Sequence, residues 1–290
     1  MRKILMLWLV FVFPYSAYPN ENICTKDVIS INAFNNFILV QEQSFGDSLK
    51  KSSMHINSED DYINDNSHVE FDDCGALLKL RGDRIIKSRN KDGFLVTKTN
   101  TSMDKKDKKD KIWRYNMTFE MYYLEQGGSK KDIMKQEMEG VFLTDVNGKI
   151  NKSEDTSNIF VGKAKETGRA ETVFLIDDKD RVSESNRVST LKNDSGNTVY
   201  HYDALNRLIQ TKSDATTVDL NYGNDNRELG SKKVQKFFTT ETTTTICDKW
   251  NEFGRCTNAK QNISTSIANN KDGKEHVYNH NADVKYNYVY

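Results

Sequence analysis

Ser48 is a residue whose type and surroundings could perform covalent chemistry. It lies in the segment Gly46-Asp47-Ser48-Leu49. A serine acts as a nucleophile when a histidine accepts its proton and a carboxylate orients that histidine. Asp272 and His276, near the C-terminus, supply both of these groups. The sequence therefore contains the parts of an ester-hydrolysing site, provided that the fold brings them together.

Residues 45–49 resemble the nucleophile segment of GDSL esterases, which also lies near the mature N-terminus. Three features depart from that family. Residues 41–44 are polar where the family has a buried strand, residues 50–52 replace the Asp-x-Gly that follows the serine, and the stretch from Asp272 to His276 is one residue longer than the family's D-x-x-H. The helices of an α/β hydrolase are also missing from the sequence pattern. We therefore predict no catalytic residue, and an esterase using Ser48 is the third of three hypotheses.

His276 and His280 have a spacing of four residues, which suits two metal ligands on a helix. Val277 and Tyr278 lie between them and favour a strand, where residues four apart lie too far from each other to bind one ion. The four cysteines contain no C-x-x-C pair. We predict neither a metal site nor a cofactor.

The N-terminus is typical of a secretory signal peptide. Two cations precede the uncharged run 4–13, and small residues follow it up to Ala17. The run is too short to span a bilayer comfortably. We predict cleavage after Ala17, no membrane span in the mature chain, and a location in the periplasm or outside the cell.

The charge of the chain is balanced, with 42 Lys and Arg against 42 Asp and Glu. This balance gives no general attraction to nucleic acid or to an anionic surface. We therefore predict no nucleic-acid partner, and we expect any partner to be a protein or glycan of the cell envelope.

The four cysteines, Cys24, Cys74, Cys247 and Cys256, all follow the signal segment. An even number in an exported chain indicates disulfides. Cys247 and Cys256 flank a turn at residues 251–254, so a hairpin would bring them face to face. We predict the bridges Cys247–Cys256 and, by exclusion, Cys24–Cys74.

The stretch 199–208 predicts a β-hairpin. Tyr200 and Tyr202 alternate with a polar residue, Asp203 can close a turn with its own carboxylate, and Asn206 tolerates a left-handed backbone. Arg207 then opens the returning strand beside Asp203, and Leu208 faces inward again. We assign this motif to folding.

The same order of residue types recurs at 145–150, 177–182 and 251–256, and in part at 223–227. The segment from Tyr200 to Leu208 resembles the YD repeat of RHS proteins, Y-x-Y-D-x-x-G-R-L, with Asn206 in place of the glycine. The resemblance covers residues 145–256 and implies consecutive β-hairpins without catalytic residues. The copies are few and unevenly spaced, and the chain is far shorter than the large shells of that family. A meander of hairpins with Asx and glycine turns would produce the same order by convergence, and the sequence leaves both origins open.

Alternation of apolar and polar residues predicts an all-β fold, built from consecutive antiparallel hairpins in an extended sheet, a sandwich or a partly closed barrel. The clearest strand is 112–124, and 131–144 is predicted to return beside it, with a helix over 132–139 as the alternative. We also predict turns at 82–83 and 90–93, one strand over 234–247, and a strand or helix at 34–40. Three regions follow: a signal peptide (1–17), a β-rich region with a disulfide (18–111) and a β-meander with YD-like turns (112–290).

Tyr200, Tyr202, Tyr222 and Tyr278 could form a sugar-binding surface, but tyrosine is also a normal occupant of sheet faces, which we favour. The leading functional hypothesis is an exported, non-catalytic binding or structural protein. A carbohydrate- or cell-wall-binding module is the alternative.

Overall fold

The protein is described by a computed structural model that covers residues 24–40, 49–90, 92–105, 112–237, 239–268 and 275–290. The described residues form one α-helix and sixteen β-strands. They are α1 (Lys26–Val40), β1 (Lys51–Ser58), β2 (Ile63–Phe71), β3 (Leu77–Asn90), β4 (Gly93–Lys105), β5 (Ile112–Glu125), β6 (Lys130–Thr144), β7 (Ile150–Val161), β8 (Ala164–Ile176), β9 (Val182–Ser189), β10 (Gly196–Tyr202), β11 (Leu208–Ser213), β12 (Thr216–Tyr222), β13 (Glu228–Lys236), β14 (Thr240–Trp250), β15 (Cys256–Ala268) and β16 (Glu275–Val289).

The sixteen strands form one closed antiparallel barrel in which each strand pairs with its neighbours in sequence. The barrel closes where β16 pairs with β1, with Tyr286 opposite Met54 and Val284 opposite Ile56. The prediction of an all-β fold of consecutive antiparallel hairpins is confirmed, and the barrel is fully closed rather than partly closed. Closure leaves no strand with an unpaired edge.

The two ends of the barrel differ in what they carry. We call the end with α1 and the turns at 72–76, 145–149, 177–181, 203–207, 223–227 and 251–255 the turn end. The opposite end is called the far end. The turns at 145–149, 177–181, 203–207, 223–227 and 251–255, which we call the motif turns, therefore all lie at one end of the barrel, because they connect every second pair of strands.

The wall of the barrel is uneven in height. Strands β3 to β8 contain 12 to 15 residues each, whereas β9 to β13 contain 6 to 9. At about 3.4 Å per residue, the strands of the tall side are about 45 Å long and those of the low side about 25 Å long, and the wall itself is lower than this because the strands of a barrel tilt.

Helix α1 resolves the ambiguity at residues 34–40, which are helical. The C-terminal half of the helix enters the barrel, where Ile38 and Leu39 are buried with Leu77 and Trp113. A second buried cluster lines the inside of β1, β2 and β14 to β16, and it includes Ile63 and Ile263. The apolar core therefore lies inside the barrel, at the helix and along one wall.

Strand β5 shows the alternation that its sequence predicts. Trp113 and Tyr115 face the interior core, and Arg114 and Asn116, which alternate with them, are exposed on the outer face. Residues 130–144 form strand β6, as predicted, and the helical alternative for this segment is wrong.

Two of the predicted boundaries are wrong. The expected turn at 82–83 does not form, because β3 continues through it with Gly82 opposite both Ser67 and Thr101. The expected strand 234–247 is divided by a turn, in which Phe237 N donates to Thr239 O. In both places, pairing with two neighbouring strands outweighs the local preference of the sequence.

Candidate functional site

The turn at 203–207 is built around the carboxylate of Asp203. Its Oδ1 accepts hydrogen bonds from the backbone N–H groups of Leu205 and Arg207, each at 2.9 Å. Asn206 has a φ of 62°, in the left-handed region that asparagine tolerates better than most residues. The backbone is closed by Asn206 N donating to Asp203 O at 3.0 Å and Asp203 N donating to Arg207 O at 2.9 Å.

The other motif turns share this geometry. The residue before the cation has a positive φ in each of them: Gly148 (88°), Asp180 (65°), Asn226 (66°) and Gly254 (76°). The first residue of the turn, Asp145, Asp177 or Asn251, accepts from the backbone of the cation through its side-chain oxygen. Gly223 has no side chain to do so, and in its turn the Oδ1 of Asp225 accepts from the backbone N–H of Arg227 instead, at 3.2 Å.

Each of four cations reaches from its own turn to an aromatic ring on a neighbouring hairpin. The guanidinium carbon of Arg181 lies 4.3 Å from the ring centroid of Tyr202, and that of Arg207 lies 4.7 Å from the ring of Tyr222. Arg227 lies over Trp250 at 5.6 Å, and Arg255 over Tyr288 at 5.8 Å. Consecutive hairpins are thereby joined at the turn end by cation–π contacts.

Hydrogen bonds reinforce two of these links. Arg181 Nη1 donates to Asn206 Oδ1 at 2.9 Å, and Arg207 Nη1 donates to Asn226 Oδ1 at 3.0 Å. The asparagine at the left-handed position therefore has a second role as an acceptor for the preceding hairpin. Sequence reasoning missed these links, because a pattern within one turn does not say what its cation contacts on the next.

Electrostatics in the motif turns favour the charged form of the acids. Partial burial raises the pKa of Asp203, but backbone and side-chain hydrogen bonds from Arg207 outweigh it and hold that pKa below its usual value. The pKa of Asp177 is lowered in the same way, by Arg181. The motif tyrosines face inward: Tyr200 packs edge-on against Phe37 of α1 with the ring centroids 5.8 Å apart, and burial raises its pKa.

Helix α1 is fixed to two turns by asparagine side chains. Asn35 Nδ2 donates to Gly148 O at 2.9 Å, and its Oδ1 accepts from Ile150 N at 2.8 Å. Asn36 repeats this arrangement with Gly75 O and Leu77 N, at 2.7 and 3.1 Å. Both asparagines are almost completely buried, so they satisfy backbone groups that water cannot reach.

Both predicted disulfides are present. Cys24–Cys74 joins the residue just before α1 to the turn between β2 and β3, and Cys247–Cys256 bridges the hairpin of β14 and β15. The first bridge secures the helix to the barrel, and the second secures the last motif turn. The prediction of both pairs is confirmed.

A charged network lies inside the tall wall. The side chain of Asp155 is 0% exposed and receives two hydrogen bonds from Arg187, at 2.7 and 3.0 Å, and one from Tyr115 Oη at 3.1 Å. Arg187 also binds Asp194 at 2.9 Å. Hydrogen bonds to Asp155 raise the pKa of Arg187, and burial together with the Asp155 charge raises the pKa of Tyr115. The network is satisfied within itself.

Two glycines allow other residues to pack closely against the inner face of the wall near this network. A Cβ added to Gly168 would lie 2.1 Å from Leu191 Cγ, and one added to Gly140 would lie 2.5 Å from Tyr115 Cζ. On the outer surface, strands β5 to β9 form a groove with a volume of about 950 Å³, within the range of about 300–1,000 Å³ that small-molecule sites occupy.

This outer groove is lined by two rows of side chains that cross strands β5 to β9. Strand pairing aligns the first row as Arg114, Val141, Glu154, Glu171 and Val188, and the second as Asn116, Glu139, Thr156, Arg169 and Thr190. Lys152 Nζ lies 2.8 Å from Glu154 and 2.6 Å from Glu171, so these two acids share one cation. Nothing in the sequence indicated this groove, because its residues come together only through strand register.

Of the residues considered for covalent chemistry, Ser48 and Asp272 lie outside the described residues. Leu49, the neighbour of Ser48, is buried with α1 at the turn end. His276 and His280 lie in the far-end half of β16. The seven strand residues from Ser52 to Ser58, where β1 pairs with β16, separate the two ends of the barrel by about 25 Å.

His280 forms a contact of a different kind. Its Nδ1 lies 2.5 Å from Asp60 Oδ2, and its ring stacks on Tyr62 with the centroids 3.6 Å apart. Burial raises the pKa of Asp60, but hydrogen bonds from His280 and from Ser58 outweigh it and lower that pKa. This contact joins the turn between β1 and β2 to β16 at the far end. No group of three or more His, Cys, Asp or Glu side chains with metal-binding geometry occurs in the described part of the chain.

Within the described ranges, no helix is long and apolar enough to cross a membrane. No protein-family model matches the chain, and no curated protein is significantly similar to it. Among solved structures, the chain is similar to a porin-like protein from Bacteroides uniformis, with a TM-score of 0.43 and 13% identity over 84% of this chain and 98% of that one.

Proposed function

We propose that this chain is an exported, non-catalytic binding protein whose barrel stands in water, in the periplasm or outside a bacterial cell. The observation that carries this proposal is the charge on the outer wall of the barrel. A barrel embedded in lipid presents an outward apolar band about 25 Å tall, flanked by aromatic girdles. This barrel presents ion pairs there.

The outward direction of these charges follows from their neighbours along each strand. Arg81 and Asp104 follow Leu80 and Met103, whose side chains belong to the interior core. The outer ion pairs are distributed around the barrel: Lys51–Glu70, Arg81–Asp104, Lys135–Glu137, Lys152–Glu171 and Lys260–Asp283. A charged side chain on the lipid face costs about 2–4 kcal/mol at the bilayer midplane, so this wall favours water.

The interior supports the same proposal. The lumen of a porin is polar and filled with water, whereas the turn end of this barrel is filled by α1 and an apolar core. Phe37 of α1 contacts Tyr200 and Tyr202 from the opposite wall. An apolar core at the turn end with charges on the outer face is the arrangement of a water-soluble domain.

Export is supported by the signal-like N-terminus and by the two disulfides, which form in oxidising compartments. The absence of catalysis is part of the proposal, and the wide separation between the neighbour of Ser48 and the C-terminal histidines supports it. We further propose that the motif turns are YD-like in the structural sense, serving to join hairpins to one another.

Cell fractionation tests the proposal. The mature chain should appear in the periplasmic or culture fraction, with both disulfides formed, after lysis without detergent. Recovery in the outer-membrane pellet after an alkaline carbonate wash would contradict it. A Ser48→Ala variant should behave like the parent chain towards short-chain nitrophenyl esters, and hydrolysis that this variant loses would revive the esterase hypothesis.

A further inference from the structure

The outer groove contains charged side chains that have no partner within the described residues. Among the described residues, the side chains of Arg114, Glu139 and Arg169 form no hydrogen bond or ion pair, and all three are exposed. The groove therefore offers the unpaired guanidinium groups of Arg114 and Arg169 and the unpaired carboxylate of Glu139. The other two outward-facing acids in the groove, Glu154 and Glu171, are neutralised by Lys152.

One end of the groove is suited to an anionic group. Arg169 lies between Thr156 and Thr190 in the second row. The Oγ1 of Thr190 already accepts from the backbone N–H of Arg169 at 2.9 Å. Its hydroxyl proton is therefore free to be donated outward, beside the guanidinium. A carboxylate or sulfate bound there would receive charge-assisted hydrogen bonds.

The other end repeats this chemistry on strand β5. Arg114 and the amide of Asn116 lie next to each other on the outer face. Three strand spacings separate Arg114 from Arg169, or about 14 Å across the sheet. A single small anion cannot contact both guanidinium groups, so the ligand must be elongated and must carry anionic groups at separate positions.

The middle of the groove is suited to hydroxyl groups. Glu139 is a free acceptor there, beside the hydroxyl of Thr156. A pure polyanion would be repelled by Glu139, whereas a sugar ring can donate its hydroxyl protons to it. We propose that the outer groove binds a short acidic oligosaccharide, with anionic groups at Arg114 and Arg169 and sugar hydroxyls at Glu139.

An extended peptide fits this groove less well. Closed strand pairing leaves no edge to which a peptide could add as a strand. The apolar side chains that face outward in the lining are Val141 and Val188, which form no deep pocket for an aromatic anchor. The recognition is instead polar and dependent on charge, so it should weaken as salt is added.

The experiment measures binding of three probes to the mature protein by titration calorimetry at low salt. The probes are a tetragalacturonic acid, the neutral sugar cellotetraose, and tetraglutamate as an acidic chain without sugar rings. We expect binding of the acidic sugar alone. Arg169→Glu and Arg114→Glu should each weaken it at least about tenfold, the scale of a lost charge-assisted contact. Lys212→Glu, a charge reversal on the exposed outer face of β11, is the matched control and should not change the affinity.

Three results would overturn the inference: no binding of the acidic sugar, equal binding of cellotetraose or tetraglutamate, or equal loss in the Lys212→Glu control. Tetraglutamate binding would instead indicate an acidic peptide partner. The melting temperature of each variant serves as the folding check, and all three substituted side chains are exposed. The inference rests on the proposed binding function, but its failure would leave the water-facing barrel intact, because fractionation tests that barrel without any ligand.

Discussion

The guanidinium of Arg181 lies over the ring of Tyr202, 4.3 Å from its centroid, and so joins the turn between β8 and β9 to the hairpin of β10 and β11. The same guanidinium binds Asp177 in its own turn, at 2.6 and 2.8 Å. Arg181 therefore holds its own turn closed and contacts the next hairpin. This relationship gives the cation that ends a motif turn a physical role that extends beyond that turn.

A double-mutant cycle on Arg181 and Tyr202 tests this link. Removing both side chains should cost less than the sum of the two single losses, with a coupling free energy of about 0.5–2 kcal/mol for a partly buried cation–π pair. Urea unfolding of the four proteins measures it. Lys179→Ala, in the same turn, is the control and should show no coupling to Tyr202. Coupling below the measurement error for Arg181 would mean that the stacking does not stabilise the barrel.

The stability of the protein is predicted to depend on the backbone shape that residue 206 can adopt more than on the polarity of its side chain. Asn206→Val should destabilise the protein by about 1–3 kcal/mol, because a β-branched residue is strained at positive φ. Asn206→Gly relieves the strain but removes the acceptor for Arg181, so its net effect should stay within about 1 kcal/mol. Thermal unfolding compares the two variants. A valine variant as stable as the glycine variant would contradict the role of the left-handed backbone.

Asn35 is predicted to hold α1 inside the barrel. Asn35→Leu leaves Gly148 O and Ile150 N without partners in a buried site, which should cost about 2–4 kcal/mol. Asn35→Asp keeps the acceptor for Ile150 N and loses the donor. With the carboxyl protonated, Asn35→Asp should lower the free energy of unfolding by less than Asn35→Leu does, because a buried carboxylate would add a desolvation cost. Susceptibility of α1 to proteolysis, followed together with the midpoint of urea unfolding, reports whether the helix is released. Unchanged values for the leucine variant would show that the helix is held by other contacts.

The two disulfides should contribute unequally. The bridge Cys24–Cys74 closes 50 residues and Cys247–Cys256 closes 9. In the chain-entropy picture these loops correspond to about 4 and about 2.5 kcal/mol. Paired Cys→Ser variants, unfolded in urea under the same conditions, measure the difference. A larger loss from the short loop would indicate that native contacts near Cys247 outweigh the entropy of the unfolded chain.

Stability is predicted to fall in acid. The pKa values of Asp60, Asp177 and Asp203 are lower in the folded state than their usual values. Each carboxylate therefore stabilises the fold fully above the unfolded pKa of about 3.9, and this contribution is lost as the pH falls through the folded pKa. Unfolding midpoints measured at pH 7, 5, 4 and 3 should drop as the pH falls below 4. Asp177→Asn should flatten the drop more than Asp178→Asn, and equal effects would contradict the assignment.

The sequence predicted local features well, because they depend on residues close together along the chain. The alternation in 112–124 places Trp113 and Tyr115 inside, and the hairpin around 251–254 specifies the Cys247–Cys256 pair. The order of types from Asp203 to Arg207 is enough to indicate a turn. In each case the deciding contacts lie within about ten residues, where propensity and periodicity act.

Neither the complete closure of the barrel nor the presence of the outer groove could be predicted from the sequence. Residues 51–58 are mostly polar, and their pattern does not indicate that they pair with β16, which lies more than two hundred residues later in the chain. The groove is lined by residues from five strands, β5 to β9, and these come together only through the register of four strand pairs. Pairing of this kind is decided by the whole barrel and not by any one segment.

The most direct test of the water-facing barrel is analytical ultracentrifugation of the mature protein, purified without detergent and then measured with and without detergent micelles. The ion pairs on the outer wall predict a non-aggregated species with native β-sheet circular dichroism that binds no detergent, so that its mass is the same in both conditions. A protein that aggregates without detergent, and becomes monodisperse only with a micelle's mass of bound detergent, would contradict the account.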